Sequence, residues 1–296
     1  MKRSVAWLVI PTLVVLLALV IYPTIYLWCM MFFSFHPARD PQPIFVGLKN
    51  FQTLTGDAEA ASSVVTMLVL VGITIPVQIV LGMLIAILFS SRNTHGKLGL
   101  KVLILIPMMI PAVIIGINWR MIFFSHGPLN ELLMSLGISP QPWLSAPFGN
   151  TSLTLVSLGV LDVWQWTPFV ALAVISGIEG LPKDVYEAAS LDGASERQIL
   201  RHIALPMIKG IIVIVLILRL IDSLRIFDVV YMLTYGGPGI ATTTLPFYIF
   251  KTGFALMSLH PGYGYASLLS VVLLAISTCI SMGVMRLLHI ERLIWE

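Results

Sequence analysis

Long apolar stretches follow one another down this chain, and short clusters of charge separate them. Residues 4–38, 60–91, 102–119, 132–161, 163–178, 229–250 and 252–285 contain no Asp, Glu, Lys or Arg. About 20 mainly apolar residues let a helix cross a bilayer, whereas a barrel strand needs about 10 of alternating polarity. Runs such as Ile10–Ile21 and Val64–Val71 do not alternate. They read as helices, which satisfy their own backbone groups inside lipid. The pattern predicts six spans, at about 5–34, 63–90, 101–124, 151–178, 206–233 and 263–288. The interval 132–161 is not a single helix, because the turn chemistry of 137–147 (Gly137, Pro140, Pro142, Pro147) interrupts it. The expected organisation is a first helix with an outer loop, residues 1–62, followed by a five-helix core, residues 63–296, that carries a polar loop at 179–209.

Composition agrees. Of the 296 residues, 58% are hydrophobic and 10% charged, against roughly 25% charged in an ordinary soluble domain. A water-soluble globule and a disordered chain are both excluded, and an all-α integral membrane protein remains. Lys and Arg then suggest orientation. With both termini in the cytoplasm, the inner segments hold Lys2, Arg3, Arg92, Lys97, Lys101, Lys183, Arg197, Arg201, Lys209, Arg286 and Arg292. The outer segments hold only Arg39, Lys49, Arg120 and Lys251. The net charge of +3 therefore reflects topology and gives no reason to expect a nucleic-acid partner. The apolar run after Lys2-Arg3 is too long for a signal peptide and lacks a small-x-small cleavage site, so it reads as an uncleaved span. Cys29 and Cys279 both fall in spans and suggest neither a disulfide framework nor a metal site.

The interior polar exception is Glu179–Lys209, which holds nine charged residues. Such a length far exceeds a simple turn and suggests a docking surface on the cytoplasmic side. Pro182 suits the first position of a short helix and Gly193 its stop. Ser195 and Gln198 fit a capping box that opens a second helix, and Pro206 marks the start of the fifth span. Ala188 and Ala189 lack bulk, so a partner could approach closely, while Tyr186 and Leu191 offer apolar anchors.

Glu187-Ala188-Ala189, three residues, Gly193, nine residues, then Ile203-Ala204-Leu205-Pro206 resembles the EAA motif of ABC importer permeases at every position. Asp192-Gly193-Ala194-Ser195 is similar to the version found in sugar importers. Trp166-Thr167-Pro168-Phe169 resembles W-x-P-F. Phe227-Asp228, Tyr231, Thr234 and Gly236-Gly237-Pro238 resemble F-D-x-x-Y-x-x-T-x-G-G-P. Tyr22-Pro23 and Gly47-Leu48-Lys49-Asn50-Phe51 resemble Y-P and G-L-x-N-[FY]. The resemblance implies a type I ABC importer permease of the sugar class, for a sugar, oligosaccharide, polyol or glycerol-phosphate-like solute, in a bacterial or archaeal cytoplasmic (inner) membrane. It also implies a coupling helix that seats on a separate ATPase, a role carried to Tyr186, Glu187, Ala188, Ala189, Asp192 and Gly193. The implied partners are a second permease, either a homologous chain in a heterodimer or a second copy of this one, two ATPase copies that bind ATP and Mg, and an extracytoplasmic binding protein. This chain itself is expected to hold no cofactor, no metal and no catalytic residue. Gly96-Lys97 does not complete a P-loop, since Ser91 stands where the first Gly is needed and Leu98 where Ser or Thr is.

Polar residues within spans remain. Arg219, Asp222, Arg225 and Asp228 alternate in sign at three-residue spacing along the fifth span. They read either as a self-neutralising ladder against neighbouring helices or as a source of one or two groups beside a substrate path. Asp162, Trp164, Gln165 and Trp166 in the fourth span suit either packing or sugar stacking, and Asn118 and Trp119 in the third are further candidates. Pro76, Pro107 and Pro111 are expected to kink their helices. His36, His126 and His260 fall near outer ends, where an exposed loop histidine is the simplest reading. Tyr235–Gly239 reads as an outer turn and 245–257 as a short outer helix. An ion-driven secondary transporter or channel that uses Asp162 or the fifth-span charges is the competing reading, and the lack of an inverted repeat speaks against it.

Overall fold

The computed structural model describes residues 2–36, 39–90, 97–145, 152–254 and 262–288. The chain divides into two compact units, residues 1–61 with 245–276, and residues 62–244 with 277–296.

The first unit begins with helix α1, Lys2–Met30. Only 6% of its most apolar window is buried, so the protein leaves its surface to lipid or to another chain. A two-residue hairpin follows, β1 Phe33–Ser34 antiparallel to β2 Ile44–Phe45. The apolar periodicity did not forecast this one small departure from an all-α fold. Helix α2, Lys49–Gly56, opens after Gly47, whose φ of +58° makes the turn. Asn50 is buried and donates to the carbonyls of Met31 (2.8 Å) and Phe33 (3.0 Å). It thereby satisfies groups left open where α1 ends.

Helix α3, Ala58–Ser90, starts at Asp57. The Asp57 carboxylate accepts from the Ala60 N–H (2.9 Å) and from the hydroxyls of Tyr248 (2.7 Å) and Tyr265 (2.6 Å). Burial pushes this carboxyl up, but those hydrogen bonds outweigh it and hold Asp57 below the ordinary carboxylate value. Tyr248 lies on a later helix, α13. The sequence places that helix at 245–257; it spans Leu245–Phe254, and residues 255–257 lie outside the described residues, as do Arg92, Ala146, Pro147, His260 and Arg292. His36 is buried rather than exposed.

The second unit carries helices α4 Lys97–Met109, α5 Ala112–Ile122, α6 Pro128–Ser135 and α7 Ser152–Glu179. The polar segment follows as α8 Lys183–Leu191, α9 Glu196–Ile199, a π-turn Leu200–Ala204 and α10 Leu205–Met207. Then come α11 Lys209–Ser223 and α12 Asp228–Leu233. The last helices of the chain are α13 Leu245–Phe254 and α14 Tyr263–Leu287. Helix α7 is central, with 56% of its apolar window buried. Its C-terminal half packs Val170, Val174, Ile175 and Ile178 against Ala86 and Phe89 of α3 and against Ile208 and Val215.

Among the described residues, four helices, α1, α3, α7 and α14, are long and apolar enough to cross a membrane. The expected third and fifth spans are not single helices. Helices α4 and α5 meet at 91°, and the segment through α10 meets α11 at 62°; counting each bent pair as one span gives six. Pro111 explains the first break, because its ring disfavours a helical residue before it. Pro76 and Pro107, by contrast, lie inside helices that continue past them. Helix α5 packs closely on α12: a Cβ on Gly116 would come within 2.6 Å of the Met232 Cβ.

Candidate coupling segment and buried charge node

The segment after α7 is a helix–glycine–helix, and local chemistry explains each joint. Pro182 is the residue before α8, with φ −57° and ψ 133°, one place earlier than the helical first position expected of it. Helix α8 has nine residues, about 14 Å at 1.5 Å per residue. It closes with Gly193 N–H on Ser190 O (3.1 Å) and Ala194 N–H on Ala189 O (3.0 Å). This is a Schellman ending, which needs a residue in the left-handed region; Gly193 supplies it at φ +80°. Ser195 and Gln198 then form the predicted reciprocal capping box, with Ser195 N–H on Gln198 Oε1 at 2.8 Å and Gln198 N–H on Ser195 Oγ at 3.4 Å. Pro206 has no N–H to donate, and its ring crowds the carbonyl four residues back. The widened π-turn sits where that crowding falls.

Burial sorts the motif residues into two faces. Glu187, Ala188, Leu191 and Asp192 point outward, and Leu191 is 88% exposed. Ala189 is buried, which corrects the expectation that both alanines offer a surface for close approach. Tyr186 is half-buried, and its hydroxyl is enclosed without a hydrogen-bond partner among the described residues; burial pushes its pKa up. A cavity of about 650 Å³ lies behind α8, lined in part by Phe89, Ile178, Lys183, Tyr186, Arg197 and Leu200. Lys101 of α4 and Glu179 of α7 pair at 2.6 Å beside it.

The second polar site is buried inside the unit and centres on Arg219, which is 2% exposed. Its Nε donates to Gln78 Oε1 (3.0 Å), Nη1 to Asp222 Oδ2 (2.6 Å) and Nη2 to Ser223 Oγ (2.7 Å). Nη2 also lies 3.6 Å from Asp162 Oδ1. The guanidinium carbon sits 4.4 Å from the centre of the Trp166 ring. Gln78 closes the loop by donating to Asp162 Oδ2 (2.7 Å). One cation thus ties α3, α7 and α11 together, and it faces two carboxylates.

The expected four-charge ladder is not present, because its helix stops at Ser223. Arg219 and Asp222 make the one i,i+3 ion pair of the series. Arg225 falls in the turn after α11 and donates to the Ile221 carbonyl (3.3 Å), and Asp228 is the exposed first residue of α12. The break is tolerated because freed carbonyls find donors. Ile221 O takes Arg225, and Ile226 O takes the Thr244 hydroxyl (3.1 Å).

The fourth-span candidates also separate. Asp162 and Trp166 join the Arg219 node. Gln165 is buried, and its Oε1 makes no hydrogen bond among the described residues. Trp164 is 39% exposed and meets Trp119 edge-on at 5.4 Å, while Asn118 beside it is exposed. Sequence reasoning missed Gln78 and Ser223 as members of the node and did not give Arg219 its role. A lone amide in the otherwise apolar 64–89 stretch was the available signal for Gln78.

With this geometry in place, the chain can be compared with known proteins. A family model described as "binding-protein-dependent transport system inner membrane component" matches residues 78–289. The trehalose/maltose transport system permease protein MalF of Thermococcus litoralis is 34% identical over 249 residues, covering 82% of this chain and 81% of that protein. The sulfoquinovosyl glycerol transport system permease protein SmoG of Agrobacterium fabrum is 30% identical over 283 residues, covering 95% and 89%. Among solved structures, a bacterial ABC transporter involved in import of the acidic polysaccharide alginate matches with a TM-score of 0.80 at 19% identity, covering 97% of this chain and 96% of that one. The alginate transporter in complex with an alginate pentasaccharide-bound periplasmic protein matches with a TM-score of 0.76 at 20% identity, covering 96% and 93%. These two likenesses concern the fold.

Proposed function

This chain belongs to the family of binding-protein-dependent transport system inner membrane components, and we propose that it forms one half of the pore of an ATP-driven importer of carbohydrate. It is a pore-forming membrane subunit and not an enzyme. The observation that carries the rest of the reading is the outward face of α8. Glu187, Ala188, Leu191 and Asp192 stand exposed on a short, well-capped helix beneath the spans. A Leu that is 88% exposed gains by leaving water for an apolar contact on another protein, and the two carboxylates beside it suit a basic rim. The occupant of that role is a separate ATPase, which binds ATP and Mg, since this chain has no P-loop. Tyr186, Ala189 and Gly193 serve the same contact from behind, by seating α8 and ending it.

Movement of α8 reaches the pore through a continuous path. From Ser195, the chain runs through α9, the π-turn and α10 to the bend at Ile208, and then up α11 to Arg219. ATP-driven closure of the ATPase pair displaces α8, and the bent segment transmits that displacement to the helices that bound the pore. A homologous permease supplies the other half, and a binding protein delivers solute on the outer side; both termini then lie in the cytoplasm of a bacterial or archaeal cell. The named relatives carry trehalose or maltose and sulfoquinovosyl glycerol, so sugars and sugar glycerols are the solute class. Asn118, Trp164, Gln165, Trp166, Asp222, Arg225 and Asp228 are the groups available to a solute path, with Asp162 set behind them. No observation favours an ion-driven transporter, since Asp162 is engaged by Gln78 and Arg219.

Affinity purification of the tagged chain from its own host tests this. Co-isolation of an ATPase and a second permease is expected, together with ATP-dependent sugar uptake when the complex and its binding protein are placed in liposomes. Uptake by this chain alone, driven by an ion gradient, contradicts it.

A further inference from the structure

We infer that Arg219 is a positioning residue for solute selection: it fixes the Asp222 carboxylate and the Trp166 ring as a paired acceptor and stacking surface for a sugar. The inference rests on the carbohydrate reading above and concerns a residue that touches no solute itself.

Depth is the first step. Asp222 lies 13 residues beyond Lys209 on α11, about 20 Å along the helix axis, which with Lys209 at the inner boundary is well inside a hydrocarbon core about 30 Å thick. Its side chain is 49% exposed. A carboxylate at that depth is costly against lipid, so its open edge faces water or protein. Trp166 is half-buried and has one face occupied by the guanidinium at 4.4 Å. A partly exposed ring backed by a cation on one face and met edge-on by Phe169 at 6.4 Å, tied through that cation to a carboxylate that is half exposed, has the composition of a carbohydrate contact. The ring takes sugar C–H groups and the carboxylate accepts hydroxyl protons.

Arg219 determines where both groups point. Its planar fork has fixed donor directions. Gln78 holds the Nε direction, Ser223 and Asp162 hold Nη2, and Nη1 is left for Asp222. The guanidinium plane, fixed in this way, sets the position of the ring beneath it. Gln78, itself anchored on Asp162, therefore orients the solute contact from α3, two contacts away from any solute. Lysine would keep the positive charge that Asp162 needs but has no fork and no plane.

The test uses the whole complex in liposomes with its binding protein, and radiolabelled maltose, trehalose, sulfoquinovosyl glycerol and an arabino-oligosaccharide as probes. Arg219→Lys and Gln78→Leu are compared with the parent. For the sugar that the parent transports, both variants are expected to raise the KM for uptake about tenfold, the scale of one lost hydrogen bond to a charged group. Assembly with the ATPase is expected to persist in both variants, and the order of preference among the probes to narrow or change. An unchanged KM and preference in both variants, or a fall in maximal rate and assembly alone, overturns the positioning role and marks Arg219 as purely structural. Absence of ATP-dependent uptake of every probe by the parent complex overturns the carbohydrate reading and this role with it.

Discussion

The coupling segment and the Arg219 node are both polar interruptions of an apolar chain, yet they handle charge in opposite ways. In the segment, Glu187, Asp192, Glu196 and Arg197 are exposed, where water screens each charge and the backbone is held by capping within a few residues. In the node, Arg219 and Asp162 are each 2% exposed, and their partners come from sequence positions as distant as Gln78. The first region can lose a charge and stay folded. The second cannot, because removing one member leaves the other buried and uncompensated. A variant in the segment should therefore damage transport while sparing stability, and a variant that removes a charge from the node should damage stability first.

The sharpest way to break this contrast is Arg219→Met. It strands Asp162 and should destabilise the protein by about 3–5 kcal/mol, visible as a large drop in the detergent-solubilised melting temperature. The double variant Arg219→Met/Asp162→Asn should recover much of that drop. Equal melting of parent and single variant would mean that the node does not hold the helices together. Next comes Gly193→Val. A β-branched residue at φ +80° costs roughly 1–2 kcal/mol locally, and nothing lies within 4 Å to clash. The chain should still insert, with uptake lost and ATP hydrolysis no longer coupled to it. Ser195→Ala removes the capping box and should cost about 1 kcal/mol, read as faster amide exchange confined to 195–199. The smallest effect belongs to Lys101→Met. Its pair with Glu179 is partly exposed, so the melting temperature should move by no more than about 1 kcal/mol equivalent and the difference should vanish in high salt.

The same contrast explains what could be read without coordinates. Helix starts and stops in 182–198 are local matters: Pro182 before α8, Gly193 at its end and the Ser195–Gln198 pair were all legible, with Pro182 misplaced by one residue. Which alanine of the pair faces outward was not legible, since that depends on what α8 rests against. The node was invisible for a related reason. Asp162 and Arg219 stood out as charges in spans, but Gln78, which links them, lies 84 and 141 residues away from them. The end of α11 at Ser223 also went unseen, because no Gly or Pro marks it and donors from elsewhere satisfy the freed carbonyls. Once that helix stopped, a ladder that required a single axis could not form. Pro111 was legible as a disturbance, though not as a 91° break.

Helix α8 is proposed to carry ATP-driven motion from a separate ATPase into this chain. The ratio of sugar transported to ATP hydrolysed, measured in liposomes for the parent complex and for Glu187→Arg, tests it most directly. The account predicts that the variant inserts, melts like the parent and hydrolyses ATP, while uptake falls to background. Uptake and hydrolysis that remain coupled at the parent ratio would contradict it.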